Sequence, residues 1–324
     1  MRILITGGLG FIGSNFVRYM ADKAEIVVVD ALKHGSNENN LKDLEYRFVK
    51  GDICNYELMA ELVKEVDAIV NFAAETHVDR SISNPYAFIE SNVIGTYRIL
   101  EAMRKDGSEA KLVHIGTDEV YGDIEKGSFK EDDKLKPSSP YSASKASADM
   151  FILAYVRTYG LNAVITRCTN NYGMFQFPEK LIPKAIIRAS MDMKIPIYGT
   201  GKNVRDWIYV KDHCEGIDLV LERGEQGEIY NISSDEERTN IEVVSEILRI
   251  MGKPDLIEFV EDRPGHDVRY SLDSSKIRGL GWKPKHGFEE GLKETVECYL
   301  ENEWWWKPLA DMRILHPTPW KLEW

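Results

Sequence analysis

The chain has 324 residues, 43% of them hydrophobic, with 41 basic against 53 acidic residues for a net charge of -12. That length buries one large core or two modest ones, while the negative charge excludes the basic footprint that nucleic acid or an anionic membrane would require. No apolar run approaches the roughly 20 residues of a membrane span. Cys54, Cys168, Cys214 and Cys298 form no CxxC pair and the seven histidines show no HExxH spacing, so neither a disulfide framework nor a metal is expected.

The start MRILITGG enters a strand-like run and lacks a signal-peptide pattern, so a soluble, cytoplasmic protein is expected. Apolar, β-branched runs then recur with amphipathic segments between them. In chain order they are ILIT at 3–6, EIVVVD at 25–30, RFVKGD at 47–52, AIVNFAA at 68–74, KLVHIGT at 111–117 and NAVITR at 162–167. This alternation predicts an α/β fold with a parallel sheet and crossover helices. Among the helices, 56–66 places Leu58, Leu62 and Val63 on one face, and 241–251 repeats the pattern behind a cap at Thr239 or Asn240.

Beyond about Asn171 the alternation weakens, and Pro, Gly and aromatic residues become frequent. The expected partition is a first domain over 1–170, rejoined by about 206–235 through the strand-like EIYNIS at 228–233, and a smaller α/β substrate-binding domain over 171–324. The tail NEWWWKPL reads as packing or contact surface.

Directly after the first strand comes Gly7-Gly8-Leu9-Gly10-Phe11-Ile12-Gly13, followed by an amphipathic segment. Gly7, Gly10 and Gly13 allow a tight turn and let backbone N–H groups reach a pyrophosphate at a helix N-terminus, as in a Rossmann-type doubly wound sheet. Asp30 ends the second strand where an acid would hold the ribose hydroxyls, and its charge favours NAD over NADP. Gly51-Asp52-Ile53 and Phe72-Ala73-Ala74 follow the third and fourth strands, at the sheet edge where ligands lie.

Two further stretches carry chemistry. IGTDEVYG at 115–122 puts Thr117, Asp118 and Glu119 at a strand end, and YSASK at 141–145 sets Tyr141 and Lys145 four apart on one helix face. A tyrosine near pKa 10 becomes a base at neutral pH when an ammonium and the positive nicotinamide ring favour its phenolate. By themselves Thr117 and Asp118 would serve equally well as a helix cap.

Residues and order together resemble the extended short-chain dehydrogenase/reductases, and the Asp118-Glu119 pair before VYG resembles the dTDP-glucose 4,6-dehydratases. The likeness extends to AAETHVDRSI at 73–82, NVIGT at 92–96, RCTNNYG at 167–173, FPEKLIP at 177–183, VRDWIYV at 204–210, YNI at 230–232, DRPGHD at 262–267 and WWWKPL. It implies a lyase that oxidises the sugar at carbon 4, eliminates water across carbons 5 and 6, and returns hydride to carbon 6, with NAD regenerated in each turnover. Oxidation makes the carbon-5 proton acidic. One carboxyl must then be ionised and its neighbour protonated. By resemblance Glu119 is the base, Asp118 the acid, Tyr141 and Lys145 the redox pair, and Thr117 a hydrogen-bond partner of the sugar.

The same resemblance adds Phe11, Ile12, Lys33, Asp52, Ile53, Ser91 and Asn171 as NAD contacts, and Thr76 as a contact shared with substrate. For the nucleotide sugar it implies Asn170, Lys180, Leu181, Pro196, Tyr198, Arg205, Asn231, Arg263 and His266, whose cations would hold the diphosphate of this acidic protein's substrate. His77 reads as readily as structural. A homodimer through a four-helix contact is also implied. Alternatives are a UDP- or GDP-sugar 4,6-dehydratase, a 4-epimerase, which has no need of the acid pair, and a non-catalytic NAD or nucleotide-sugar sensor. The loop before YSASK is short for the family, and Leu9 stands where alanine is frequent.

Overall fold

The computed structural model describes residues 1–323. Its strands are β1 (Arg2–Thr6), β2 (Glu25–Asp30), β3 (Arg47–Lys50), β4 (Ala68–Asn71), β5 (Lys111–Thr117), β6 (Ala163–Cys168), β7 (Asn170–Tyr172), β8 (Ile195–Tyr198), β9 (Val204–Tyr209), β10 (Ile229–Ile232), β11 (Glu237–Thr239) and β12 (Ile257–Val260). One seven-stranded sheet runs β10-β6-β5-β4-β1-β2-β3, and every neighbouring pair in it is parallel.

The continuous apolar runs are explained by helices on both faces. Ile3, Ile5 and Val28 pack toward the helices Phe11–Met20 and Val210–Arg223. Leu4, Val27 and Val29 point the other way, toward Tyr56–Leu62 and Gly95–Asp106. Strand order reverses between β1 and β4, which opens a crevice at their carboxyl ends. Two expected strands stop early, at Lys50 and Asn71, so Gly51-Asp52 and Phe72–Ala74 lie beyond the sheet. The helix expected over 56–66 ends at Leu62, because the chain must turn for Asp67 to pair with Arg2.

A second core gathers β7, β8 and β9 with the helices Leu181–Ser190, Asn240–Ile250 and Phe288–Glu301. Thr239, not Asn240, caps the middle helix, in a capping box with Glu242. The helix Val210–Arg223, β10, Ile277 and Trp282 belong to the first core, while β9 joins β7 and β11 in a separate sheet. Trp305 and Trp306 are buried, Trp304 is 45% exposed, and Trp305 Nε1 donates to Asn40 Oδ1 at 2.7 Å, latching the tail to the segment after β2. All four cysteines are free thiols.

Candidate active site

β1 delivers the chain to Gly7 at φ +65°, where a Cβ would lie 2.7 Å from the Cα of Ala73. On Gly13 it would lie 2.3 Å from the Gly7 carbonyl oxygen. Glycine is therefore required at both positions, and the helix Phe11–Met20 presents its unpaired first N–H groups at the crevice. The loop also fixes Asp30, whose Oδ2 accepts from Leu9 N at 3.0 Å and whose Oδ1 accepts from Leu32 N at 2.9 Å and Ser36 Oγ at 2.8 Å.

One cleft is lined by Gly7, Gly10, Phe11, Ile12, Gly13, Asp30, Lys33, Asp52, Ile53, Phe72, Ala73, Ala74, Thr76, Ser91, Tyr141, Lys145 and Asn171, so the expected cofactor residues share one surface. Lys33 Nζ pairs with Asp52 at 2.7 Å. Ser91 is placed by a π-helical turn, Ile89–Ile94, a distortion frequent at functional sites.

The far end of this cleft is the end of β5. There Thr117 caps a short 3-10 turn, Asp118–Val120, with Oγ1 accepting from Glu119 N at 3.4 Å and lying 3.2 Å from Asp118 Oδ1. Cap and chemistry thus coincide. Asp118 Oδ2 and Glu119 Oε2 are buried and without a hydrogen-bond partner. Burial, then the neighbouring Glu119 charge, pushes the Asp118 carboxyl well above its ordinary range, with Arg205 opposing. Burial also raises Glu119, but Arg263, Lys180 and Arg205 pull it back.

Tyr141 stands near the start of the helix Pro140–Tyr159, which opens with a capping box between Ser139 and Ser142. Burial raises its phenol, helped by Glu119 and Cys168 and opposed by the Thr76 and Thr117 hydroxyls. The expected relief by a Lys145 ammonium is not what the protein alone provides. Lys145 Nζ instead donates to the Ile115 carbonyl at 2.6 Å and meets His114 Nε2 at 3.3 Å.

A second pocket adjoins the first through Glu119, Asn170, Glu179 and Lys180. Its lining includes Leu181, Pro196, Tyr198, Arg205, Arg263 and His266 from the sequence-based set, together with His77. Its cations are anchored from behind: Arg263 pairs with Asp79 at 2.8 Å, and Arg205 donates to the carbonyls of Val204, Asp267 and Val268 while its guanidinium lies over Tyr270. His266 is lowered to about 4 by burial, then by Arg263, so it is neutral near pH 7. His77 caps the helix Val78–Ser83 at φ +86°, a strained backbone for a non-glycine residue.

Asn231 is the exception. It is fully buried, its Nδ2 donates to the Phe129 carbonyl, and its Oδ1 accepts from Tyr121, so its polar groups tie β10 to those two residues and lie outside both pockets. Besides Asn170, the second pocket is lined by an asparagine outside the sequence-based set, Asn240, with Tyr270, Asp79 and Lys184. Asn240 had a legible signal: Glu242 lies three residues after Thr239, which makes Thr239 the cap and releases Asn240 for another role.

The comparisons with known proteins agree with this geometry. A model of the GDP-mannose 4,6 dehydratase family matches residues 4–295. The dTDP-glucose 4,6-dehydratase of Mycobacterium tuberculosis is 49% identical, over 96% of this chain and 97% of its own. The chain belongs to the dTDP-glucose 4,6-dehydratase family. A second relative, the low-salt glycan biosynthesis protein Agl12 of Haloferax volcanii, is also 49% identical, over 94% of this chain and 100% of its own. Among solved structures, the family member DesIV of Streptomyces venezuelae, with NAD and TYD bound, superposes with a TM-score of 0.93 at 48% identity, covering 96% of this chain and 100% of its own.

Proposed function

We propose that this chain is a hydro-lyase that converts dTDP-glucose to dTDP-4-dehydro-6-deoxy-glucose with NAD as resident cofactor. The observation that carries the reading is the pair of buried carboxyls at the end of β5, each with an oxygen left without a partner and each raised to a different degree. A 4-epimerase has no use for such a pair.

The residues fit NAD. Gly7 and Gly13 let the loop backbone pack where a Cβ would clash with Ala73 and the Gly7 carbonyl, which brings the first N–H groups of the helix Phe11–Met20 to the crevice, and the buried Thr169 Oγ1 and Gln176 Oε1 at the same cleft have no hydrogen-bond partner. Asp30 would hold the adenosine ribose and Lys145 the nicotinamide ribose. What NAD supplies when bound is reversible two-electron chemistry, accepting at carbon 4 and giving back at carbon 6.

The chain's own residues supply the proton transfers. Tyr141 takes the carbon-4 hydroxyl proton, with Thr117 hydrogen-bonded to the same oxygen. Glu119, the less strongly raised carboxyl, is ionised and removes the carbon-5 proton; Asp118, the more strongly raised, stays protonated and gives its proton to the departing carbon-6 hydroxyl, which leaves as water. Arg205, Arg263 and Lys180 face the diphosphate, and the second pocket takes the nucleoside.

Tyr86, Ile89, Ile94, Met150 and Phe151 are 41–68% exposed on the helical segments Pro85–Phe88, Ile89–Ile94 and Pro140–Tyr159. A second copy would cover this apolar face, giving the four-helix homodimer that the family resemblance implies, and light scattering in solution tests it. Among the described residues no helix is long and apolar enough to cross a membrane. With four free thiols and a soluble nucleotide sugar, the reading is completed by a cytoplasmic location.

The deciding experiment incubates the purified protein with dTDP-, UDP- and GDP-hexoses in deuterated water, without added NAD. The expected product is a 4-keto-6-deoxy sugar from dTDP-glucose alone, with deuterium at carbon 5. An epimerised hexose, or a bound and unchanged one, overturns the reading.

A further inference from the structure

The tail of the chain, beyond residue 295 where the family match ends, runs back over the outside of the second pocket. Arg188 Nη1 donates to the Leu315 carbonyl at 2.7 Å and Lys184 Nζ to the His316 carbonyl at 3.3 Å, which lays that stretch along the helix Leu181–Ser190. The chain then makes one 3-10 turn, Pro319–Lys321, against the helix Val78–Ser83. Lys321 pairs with Glu261 just after β12, and β12 lies beside β8 with Val260 opposite Tyr198. The turn is thus tied down on both sides.

At the middle of that turn stands Trp320, buried, its ring meeting the Tyr198 ring edge-on with centroids 4.6 Å apart and planes at 78°. Tyr198 lines the second pocket, whereas Trp320 lines neither pocket. The tryptophan therefore stands behind the tyrosine as seen from the ligand.

The other neighbours of Tyr198 leave it a task. The Tyr198 hydroxyl donates to Asp79 Oδ2 at 3.2 Å, and Asp79 Oδ1 accepts from Arg263 at 2.8 Å. The His266 ring lies farther off, at 6.2 Å, and its Nδ1 is engaged with Asp262 at 2.6 Å. One hydrogen bond at the tip fixes the hydroxyl but lets the ring swing about it. A second aromatic edge against the ring removes that freedom, in a geometry that aromatic pairs prefer.

A base is the part of a nucleotide sugar that needs such a ring. The cations Arg205, Arg263 and Lys180 hold a diphosphate through charge, which tolerates small shifts. An uncharged nucleoside depends on close contact with well-placed surfaces. β8 brings Pro196, Ile197 and Tyr198 to the lining as an apolar strip for it.

We propose that Trp320 is a positioning residue for the nucleoside end of the substrate: it holds the Tyr198 ring from behind, so that the ring meets the base already ordered. Without Trp320 the ring regains rotamers in the free protein, and binding has to order it again. The inference rests on the reading that the second pocket takes the nucleoside.

Trp320→Ala tests it, with dTDP, UDP and GDP titrated by calorimetry into the NAD-saturated enzyme. For whichever of the three the unaltered enzyme holds tightest, the dissociation constant should rise about three- to tenfold. Trp320→Phe keeps an aromatic edge against Tyr198 and should return it to within about twofold of the starting value. In turnover the loss should appear in KM with kcat within about twofold, because contact with the base is shared by ground and transition states.

A merely structural role would lower the melting temperature whatever stands at position 198, so a double-mutant cycle decides. In a Tyr198→Ala background, Trp320→Ala should no longer alter nucleotide binding. An unchanged dissociation constant in the folded Trp320→Ala protein overturns the inference, and so does an equal loss with and without Tyr198. The titrations need no turnover. Failure to convert dTDP-glucose would overturn the dehydratase reading alone, and the cycle would still decide the role of Trp320.

Discussion

The two walls of the cleft are built by different means. The cofactor wall is made largely of backbone and small side chains at the ends of β1, β2 and β4, and its decisive feature is close approach: Gly7 against Ala73 and Gly13 against Gly7. The substrate wall is crowded with charge, and there Arg263, Asp79, Lys180, Lys184 and Glu179 face one pocket. An acidic chain can hold a pyrophosphate with N–H groups and a helix terminus alone. To hold a second diphosphate beside Glu119 it needs cations, and buried cations need partners of their own.

The largest effect is expected where the walls meet. Glu119→Gln should cost about 10²–10⁴-fold in turnover, while nucleotide binding and the absorbance of reduced cofactor on adding dTDP-glucose persist. Normal turnover in that variant would remove Glu119 from the role of base. The pH profile of elimination follows the same pair. The rate should be lost as pH falls through the raised pKa of Glu119, which must be ionised, and lost again as pH rises through the raised pKa of Asp118, which must be protonated. In Asp118→Asn the alkaline limb should vanish from whatever activity remains.

On the substrate wall, Arg263→Met leaves Asp79 buried beside Tyr198 without its ion pair and should destabilise the fold by about 3 kcal/mol. Adding Asp79→Asn should restore much of the melting temperature without restoring dTDP binding. Recovery of both would mean that Arg263 serves the fold and not the ligand.

On the cofactor wall, Gly13→Ala forces the loop apart and should weaken NAD binding by about 1–3 kcal/mol, read as a smaller rise in melting temperature on adding NAD. The smallest change lies outside both walls. Trp305→Phe removes the bond to Asn40 and should cost about 1 kcal/mol in denaturant melts, with kcat and KM unchanged.

The same contrast explains which residues were legible. The cofactor wall follows from local rules: a strand, a glycine turn and a helix lie within one stretch, and parallel strands bring their carboxyl ends to one edge. Tyr141 and Lys145 needed only helical spacing. Asn231 was not legible in the same way, because YNI lies on β10, whose place beside β6 turns its asparagine toward Tyr121 and Phe129. His114 gave no signal, since one histidine within an apolar strand looks like core filling until the strands on either side are known.

The sequence by itself determined the doubly wound sheet and the glycine turn at its switch point, because strand periodicity, glycine geometry and helix spacing are properties of neighbours in the chain; the candidate acid pair came from family resemblance. Only the tertiary structure decided how deeply Asp118 and Glu119 are enclosed and which cations face them, which asparagines line the second pocket and what stands behind Lys145. Those depend on burial and on charges more than 50 residues distant, as when Arg205 and Arg263 act on Asp118 and Glu119.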